Sequence, residues 1–168
     1  AELPDAGLTL VTDNPIYLRG DYNTVDKQGA AVMADAVNIL SNAWDGTKKL
    51  GDPVTRVPGS DTTINAAILT GYPETDAEAG IFSGGFENIV RYHENLLHKA
   101  IVINGSFVNL FESRFARGDF KMYGVFVPPD LDWRFDEDFN DPANLPPFTP
   151  MGTRVRKMVH YDRESILQ

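Results

Sequence analysis

Three stretches of the chain share one short pattern: Ile16-Tyr17-Leu18-Arg19-Gly20-Asp21-Tyr22, Thr62-Thr63-Ile64-Asn65-Ala66-Ala67-Ile68 and Ile101-Val102-Ile103-Asn104-Gly105-Ser106-Phe107. Each runs from a branched apolar residue through a polar one to Gly or Ala, then a small or polar one, then a large apolar side chain. With a period of two, Leu18, Gly20 and Tyr22 face one way, and Arg19 and Asp21 face the other. A small residue held between two large inward ones predicts strands stacked in register, where a bulkier side chain would strike the layer above. That is the packing of a β-solenoid, each layer repeating its neighbour's geometry. The expectation is that Leu18, Ile64 and Ile103 form one inward column. The repeats supply architecture and no chemistry.

At 168 residues the chain is long enough for a single domain with a substantial core. Acidic residues outnumber basic ones by 24 to 15. The resulting net charge of −9 disfavours nonspecific binding to nucleic acid or to anionic membranes. Arg154, Arg156 and Lys157 are the one visible basic cluster, and they read as the exposed face of a strand. There is no cysteine, which excludes disulfides, iron–sulfur clusters, thiolate zinc sites and thiol nucleophiles. No run approaches the roughly 20 apolar residues needed to span a bilayer. The opening Ala1-Glu2-Leu3-Pro4-Asp5 has the character of neither a signal peptide nor a targeting helix.

Along the chain, Leu8 to Thr12 and Pro15 to Tyr22 read as strands joined through Asp13-Asn14-Pro15, where Asn-Pro disfavours helix. Residues Gln28 to Asn42 carry good helix formers but also alternate, and strands are the favoured reading. Residues 45–61 read as a loop anchored by Trp44 over one end of the core, and 71–85 as another loop. An amphipathic helix is expected from Phe86 to His98, with Phe86, Ile89, Val90, His93, Leu96 and Leu97 on one stripe. Lys99 to Phe111 is the strongest strand. A short strand, Met122 to Val127, precedes an irregular flap, 128–150, rich in proline and aromatics, which should wrap the core rather than leave Trp133, Phe135, Phe139 and Phe148 in water. A last strand is expected from Thr153 to Tyr161. The predicted fold is thus mainly β: a right-handed β-solenoid-like single domain over 1–168, with one amphipathic helix and a Pro/aromatic-rich C-terminal flap.

Candidate chemistry is sparse. Arg19-Gly20-Asp21 spells a tripeptide that some adhesins present to integrins, but it lies inside a repeat rather than at a loop tip. Asp130, Asp132, Asp136 and Asp138 are weak calcium candidates, since a hard cation favours carboxylate oxygens. Their spacing does not fit an EF-hand loop, and a solvated acidic loop is the simpler reading. The histidines, His93, His98 and His160, have no metal-pair spacing. No nucleophile elbow and no glycine-rich phosphate loop is present. Asp21, Asp35 and Glu112 are the scattered acids from which a glycosidic site would have to be built. No catalytic or cofactor-binding residue is assigned.

Several phrases taken in order carry a family resemblance. They are Gly7 to Asn23-Thr24, Asp35-Ala36-Val37-Asn38-Ile39-Leu40-Ser41, Ser60 to Ile68, Gly84-Gly85-Phe86-Glu87-Asn88, Gly105 to Ser113, and Pro128-Pro129 with Asp132-Trp133, Phe135-Asp136 and Phe139 to Pro142. Together they resemble the C-terminal β-solenoid region of PilX-like proteins of bacterial type IV pili and related secretion systems. The resemblance implies a non-enzymatic extracellular module, structural or adhesive, that self-associates or contacts pilin-like subunits in a surface filament without cofactors, nucleic acid or membrane insertion of its own. Such proteins begin with a leader and a long hydrophobic helix, which this chain does not show; either it is a fragment, or a separate short helical subunit supplies the stalk. The alternatives on the same architecture are a β-helical carbohydrate-active enzyme and a calcium-dependent carbohydrate-binding module.

Overall fold

The computed structural model describes residues 2–47, 58–71, 75–78, 80, 89–117 and 127–152. Within them the chain is mainly β, with ten strands: β1 (Leu8–Val11), β2 (Ile16–Arg19), β3 (Ala30–Ala34), β4 (Val37–Leu40), β5 (Thr62–Asn65), β6 (Ala67–Thr70), β7 (Val90–Tyr92), β8 (Ala100–Gly105), β9 (Phe107–Val108) and β10 (Asp130–Phe135). They form three sheets, ordered β1-β3-β6-β9, β2-β4-β7 and β10-β8-β5, and every strand pair is parallel. Consecutive strands fall in different sheets, so each sheet gains at most one strand on each pass of the chain. Parallel neighbours therefore come from distant sequence positions, from Ile16 and Val37 to Val37 and Val90, and the corners between sheets are as short as Ala66 between β5 and β6.

The register lines like side chains into inward columns. Leu10, Val32, Ile68 and Phe107 are successive partners along the first sheet. Leu18, Ile39 and Tyr92 align along the second. Tyr22, Ile64, Ile103 and Trp133 align along the third. These columns meet in one hydrophobic core. Each fully buried Ile or Val contributes on the order of 1.5–3 kcal/mol, and the core is continuous from the first pass of the chain to the last.

The three-repeat expectation holds for two repeats and fails by one sheet for the first. Ile64 and Ile103 are direct partners, but the residue stacked on Ile64 from the first pass is Tyr22, whereas Leu18 stacks on Ile39. All three share the core. The small residue at the corner has the predicted reason. A Cβ on Gly105 would run into the carbonyl oxygen of Ala66 in the preceding layer. Gly20 answers a different demand: its φ of 73° lies in the left-handed region, and a Cβ there would sit 2.6 Å from the Asn42 side chain.

Three further expectations are corrected. The amphipathic helix over 86–98 does not form: Val90–Tyr92 is β7, hydrogen-bonded in parallel to β4, and residues 86–88 lie outside the described residues. The 3.6-residue stripe is matched equally well by Val90 and Tyr92 alternating inward, with Ile89 and Leu96 filling the core from the flanking turns. Trp44 is half-buried and not part of the core; its carbonyl accepts from Arg19. The flap opens as an ordered strand, β10, paired along its whole length with β8. Only residues 136–150 are irregular, through short 3-10 turns at Glu137–Asn140 and Pro142–Asn144, whose first amides are capped by Asp136 and Asp141. The strands expected at Thr153 to Tyr161 and over 122–126 lie outside the described residues, although Val127 bridges to Asn95.

This C-terminal strap returns to the start of the chain. Thr9 Oγ1 donates to the Pro147 carbonyl at 2.6 Å, and Lys27 Nζ reaches Asp136 at 2.9 Å and Asp138 at 2.5 Å. A Cβ on Gly29 would lie 2.6 Å from the Asn144 carbonyl oxygen.

Candidate interaction surfaces

Buried and exposed carboxylates alike are engaged in holding backbone. Asp35 sits in the two-residue corner between β3 and β4. It accepts from Ser113 Oγ at 2.6 Å and from the amides of Arg114 and Phe115 at 2.6 and 3.0 Å. Burial pushes its pKa up, but these bonds and the Ala116 amide outweigh burial and hold it below the ordinary value. Arg91 is pulled down by burial, against the opposing charge of Asp35, and donates to the Ala116 carbonyl at 2.7 Å. Glu94 accepts from both the amide and the hydroxyl of Ser41 at 2.7 Å. Asp21 and Asp61 each accept a backbone amide from the next layer, Thr63 and Ala100, at 2.9 Å.

The three scattered acids considered for glycosidic chemistry are not brought together. Asp21 lies at the edge between the second and third sheets, Asp35 is locked into the 113–116 loop, and Glu112 lies 3.7 Å from Arg117. The calcium candidates are likewise divided. Asp130 and Asp132 are on β10, where Asp132 pairs with Arg134, while Asp136 and Asp138 clasp the ammonium of Lys27. Among the described residues no group of three or more His, Cys, Asp or Glu side chains could hold a metal ion. His93 follows β7 rather than riding a helix; its Nε2 lies 2.8 Å from Asn38 Oδ1 and its ring 6.0 Å from that of Tyr17. In the Arg19-Gly20-Asp21 tripeptide, Asp21 is committed to Thr63 and Arg19 to the Trp44 carbonyl.

Sequence reasoning missed an asparagine ladder. Asn23, Asn65 and Asn104 occupy the same corner in three successive layers, each directly after an inward apolar residue. Asn65 Oδ1 accepts from the Asn104 side-chain amide at 2.7 Å. The signal was the dipeptides Tyr22-Asn23, Ile64-Asn65 and Ile103-Asn104, hidden because the first repeat was aligned on Leu18.

Two apolar surfaces are exposed. On the outer face of the first sheet, Val11, Met33, Leu69 and Val108 are successive register partners and form a column across all four strands. At the end of the stack, Phe107, Trp133 and Phe135 line a cleft of about 350 Å³, with the Phe107 and Trp133 rings 4.7 Å apart. Phe135 there is 56% exposed, and Leu131, on the same face of β10, is 41% exposed. A smaller polar cavity, about 220 Å³, lies under the strap beside Asp5, Lys27 and Asp138. No helix among the described residues is long and apolar enough to cross a membrane.

Comparison of the chain with protein-family models, with curated proteins and with solved structures gives no match.

Proposed function

We propose that the chain is a right-handed β-solenoid and works as a non-enzymatic structural or adhesive module of an extracellular, type IV pilus-like filament, through protein–protein contacts with pilin-like subunits. The handedness rests on the rule that crossovers between parallel strands of one sheet are right-handed in about 98% of cases. The observation that carries the function is the use made of the acids: Asp21, Asp35, Asp61 and Glu94 accept from backbone amides or from Ser41, which commits these four to anchoring layers rather than to proton transfer. Meanwhile apolar side chains stand on the outer face and at the stack end, where a partner protein would bury them. The surface and filament assignment rests on the sequence resemblance. Immunogold labelling of producing cells, whole and in thin section, is the test. Label along filaments is expected, and label confined to the cytoplasm overturns the reading. Incubation with polyuronates and glucans should release no product; cleavage would transfer the chain to the carbohydrate-active alternative.

A further inference from the structure

We infer that β10 is a self-complementary edge through which two copies of this chain form a two-fold dimer. The third sheet ends on β10 among the described residues. The amides of Asp130, first in the strand, and Asp136, just past its end, donate to the carbonyls of Lys99 and Gly105, so the even-numbered positions direct their backbone groups at β8. Leu131 and Phe135 therefore present N–H and C=O to the opposite side, and such an edge invites another strand.

The sequence Asp130-Leu131-Asp132-Trp133-Arg134-Phe135 selects which strand. A two-fold axis makes the pair antiparallel, and side-chain parity requires inward residues to oppose inward ones. Of the registers that satisfy parity, the one centred on position 133 pairs Leu131 with Phe135 of the second copy, and Phe135 with its Leu131. Both pairs fall at hydrogen-bonded positions, as does Trp133 opposite its own copy on the axis, giving six backbone bonds. The same register sets Asp132 against Arg134 of the second copy, twice, at the closer non-hydrogen-bonded positions. Within one chain Arg134 already pairs with Asp132 along the strand, so both charges lie on the outer face where the exchange can occur. The half-exposed Leu131 and Phe135 become buried, and the cleft beside Phe107 closes against its symmetry mate. Shifting the centre by one position keeps parity but sets Asp132 directly against its own copy, or Arg134 against its own, a like-charge pair at the closer positions. Charge and apolar pattern thus fit a second copy in one register. This inference is independent of where the module is located.

Light scattering coupled to size exclusion tests it, at micromolar concentration. The expected mass is twice 18.6 kDa. Asp132→Arg and Arg134→Asp, each placing like charges opposite one another, should each weaken dimerisation at least tenfold, and the double swap should restore it. Because the chain has no cysteine, a mixture of Asp132→Cys and Arg134→Cys proteins should cross-link as a heterodimer faster than either protein alone. A wild-type monomer at about 100 µM overturns the inference, as it would if another part of the chain covers the edge. So does a dimer indifferent to both charge swaps, or one whose mixed cysteine pair fails to cross-link preferentially.

Discussion

The side-chain amide of Asn23 donates to the backbone carbonyl of Asn65, and the amide of Asn65 returns a bond to the carbonyl of Asn23, both at 2.9 Å. The two residues are 42 apart in sequence and occupy the same corner in adjacent layers. Asn23 also closes a local loop through Gln28, whose amide it accepts at 3.0 Å, and its φ of 57° is one that asparagine tolerates better than most residues. Each buried corner would otherwise leave carbonyls without donors. The ladder is therefore the polar counterpart of the apolar columns beside it.

Replacing the middle rung should be costly. Asn65→Ala removes the donor to Asn23 and the acceptor for Asn104, leaving buried polar groups unsatisfied at about 1–3 kcal/mol each. A loss of about 2–3 kcal/mol is expected from the urea midpoint with the slope unchanged. A loss under about 0.5 kcal/mol would mean that the ladder is not stabilising.

Asp35 should make stability depend on acid. Its folded pKa lies below the ordinary 3.8, since burial raises it less than its hydrogen bonds lower it. A depressed carboxylate stabilises the fold fully above 3.8, and that contribution fades as pH falls through the folded value. Asp35→Ala should lower stability at pH 7 by about 3 kcal/mol by orphaning Ser113 and the 114–115 amides. It should also flatten the wild-type decline below about pH 4. Chemical denaturation at pH 7, 4 and 3 tests both, and parallel acid profiles would refute the assignment.

Much of the architecture was legible in the sequence because two-residue alternation and tight corners are local. Strands β1 to β6, β8 and β9 fall within segments read as β, and Gly105 was explained in advance by the layer above it. The failures came where one pattern serves two periods. Ile89, Val90, His93 and Leu96 fit a helical stripe, but a three-residue strand between two turns places Val90 and Tyr92 inward at a spacing of two and leaves Leu97 exposed. In β10, the Pro128-Pro129 pair just before it and alternating acids obscured a strand whose inward residues are Leu131, Trp133 and Phe135. The candidate site was less legible, since a carboxylate bound to a backbone amide from 40 residues away looks like any solvated acid in sequence.

The Gly105 corner admits a sharp test. A methyl group there would collide with the Ala66 carbonyl, which is backbone anchored between β5 and β6 and cannot move without disturbing both strands. Gly105→Ala should cost about 3 kcal/mol or more, as overpacking against rigid neighbours does. Gly152→Ala, with nothing within 4 Å of its Cβ, should lie within about 0.5 kcal/mol of wild type. Equal melting temperatures for the two variants would contradict the packing of adjacent layers.

Lys27 should govern the strap more than the core. Partial burial lowers its pKa, but the contacts with Asp138 and Asp136 prevail and raise it above 10.5, so the ammonium persists at neutral pH. Its contribution is complete below 10.5 and disappears only as pH rises through the higher folded value. The side chain is a third exposed and solvent-screened, so Lys27→Met should cost no more than about 1 kcal/mol globally. Asp136→Ala should cost more, because that carboxylate is buried and also caps the Asp138 amide. Local opening is the better readout: the amide of half-buried Leu145, which donates to the Pro142 carbonyl, should exchange its hydrogen several-fold faster in Lys27→Met than in wild type, with exchange in the core strands unchanged. Equal rates at Leu145 would show that the strap is held by its Thr9 and Gly29 contacts, and that the ion pairs contribute little to closing the first layer.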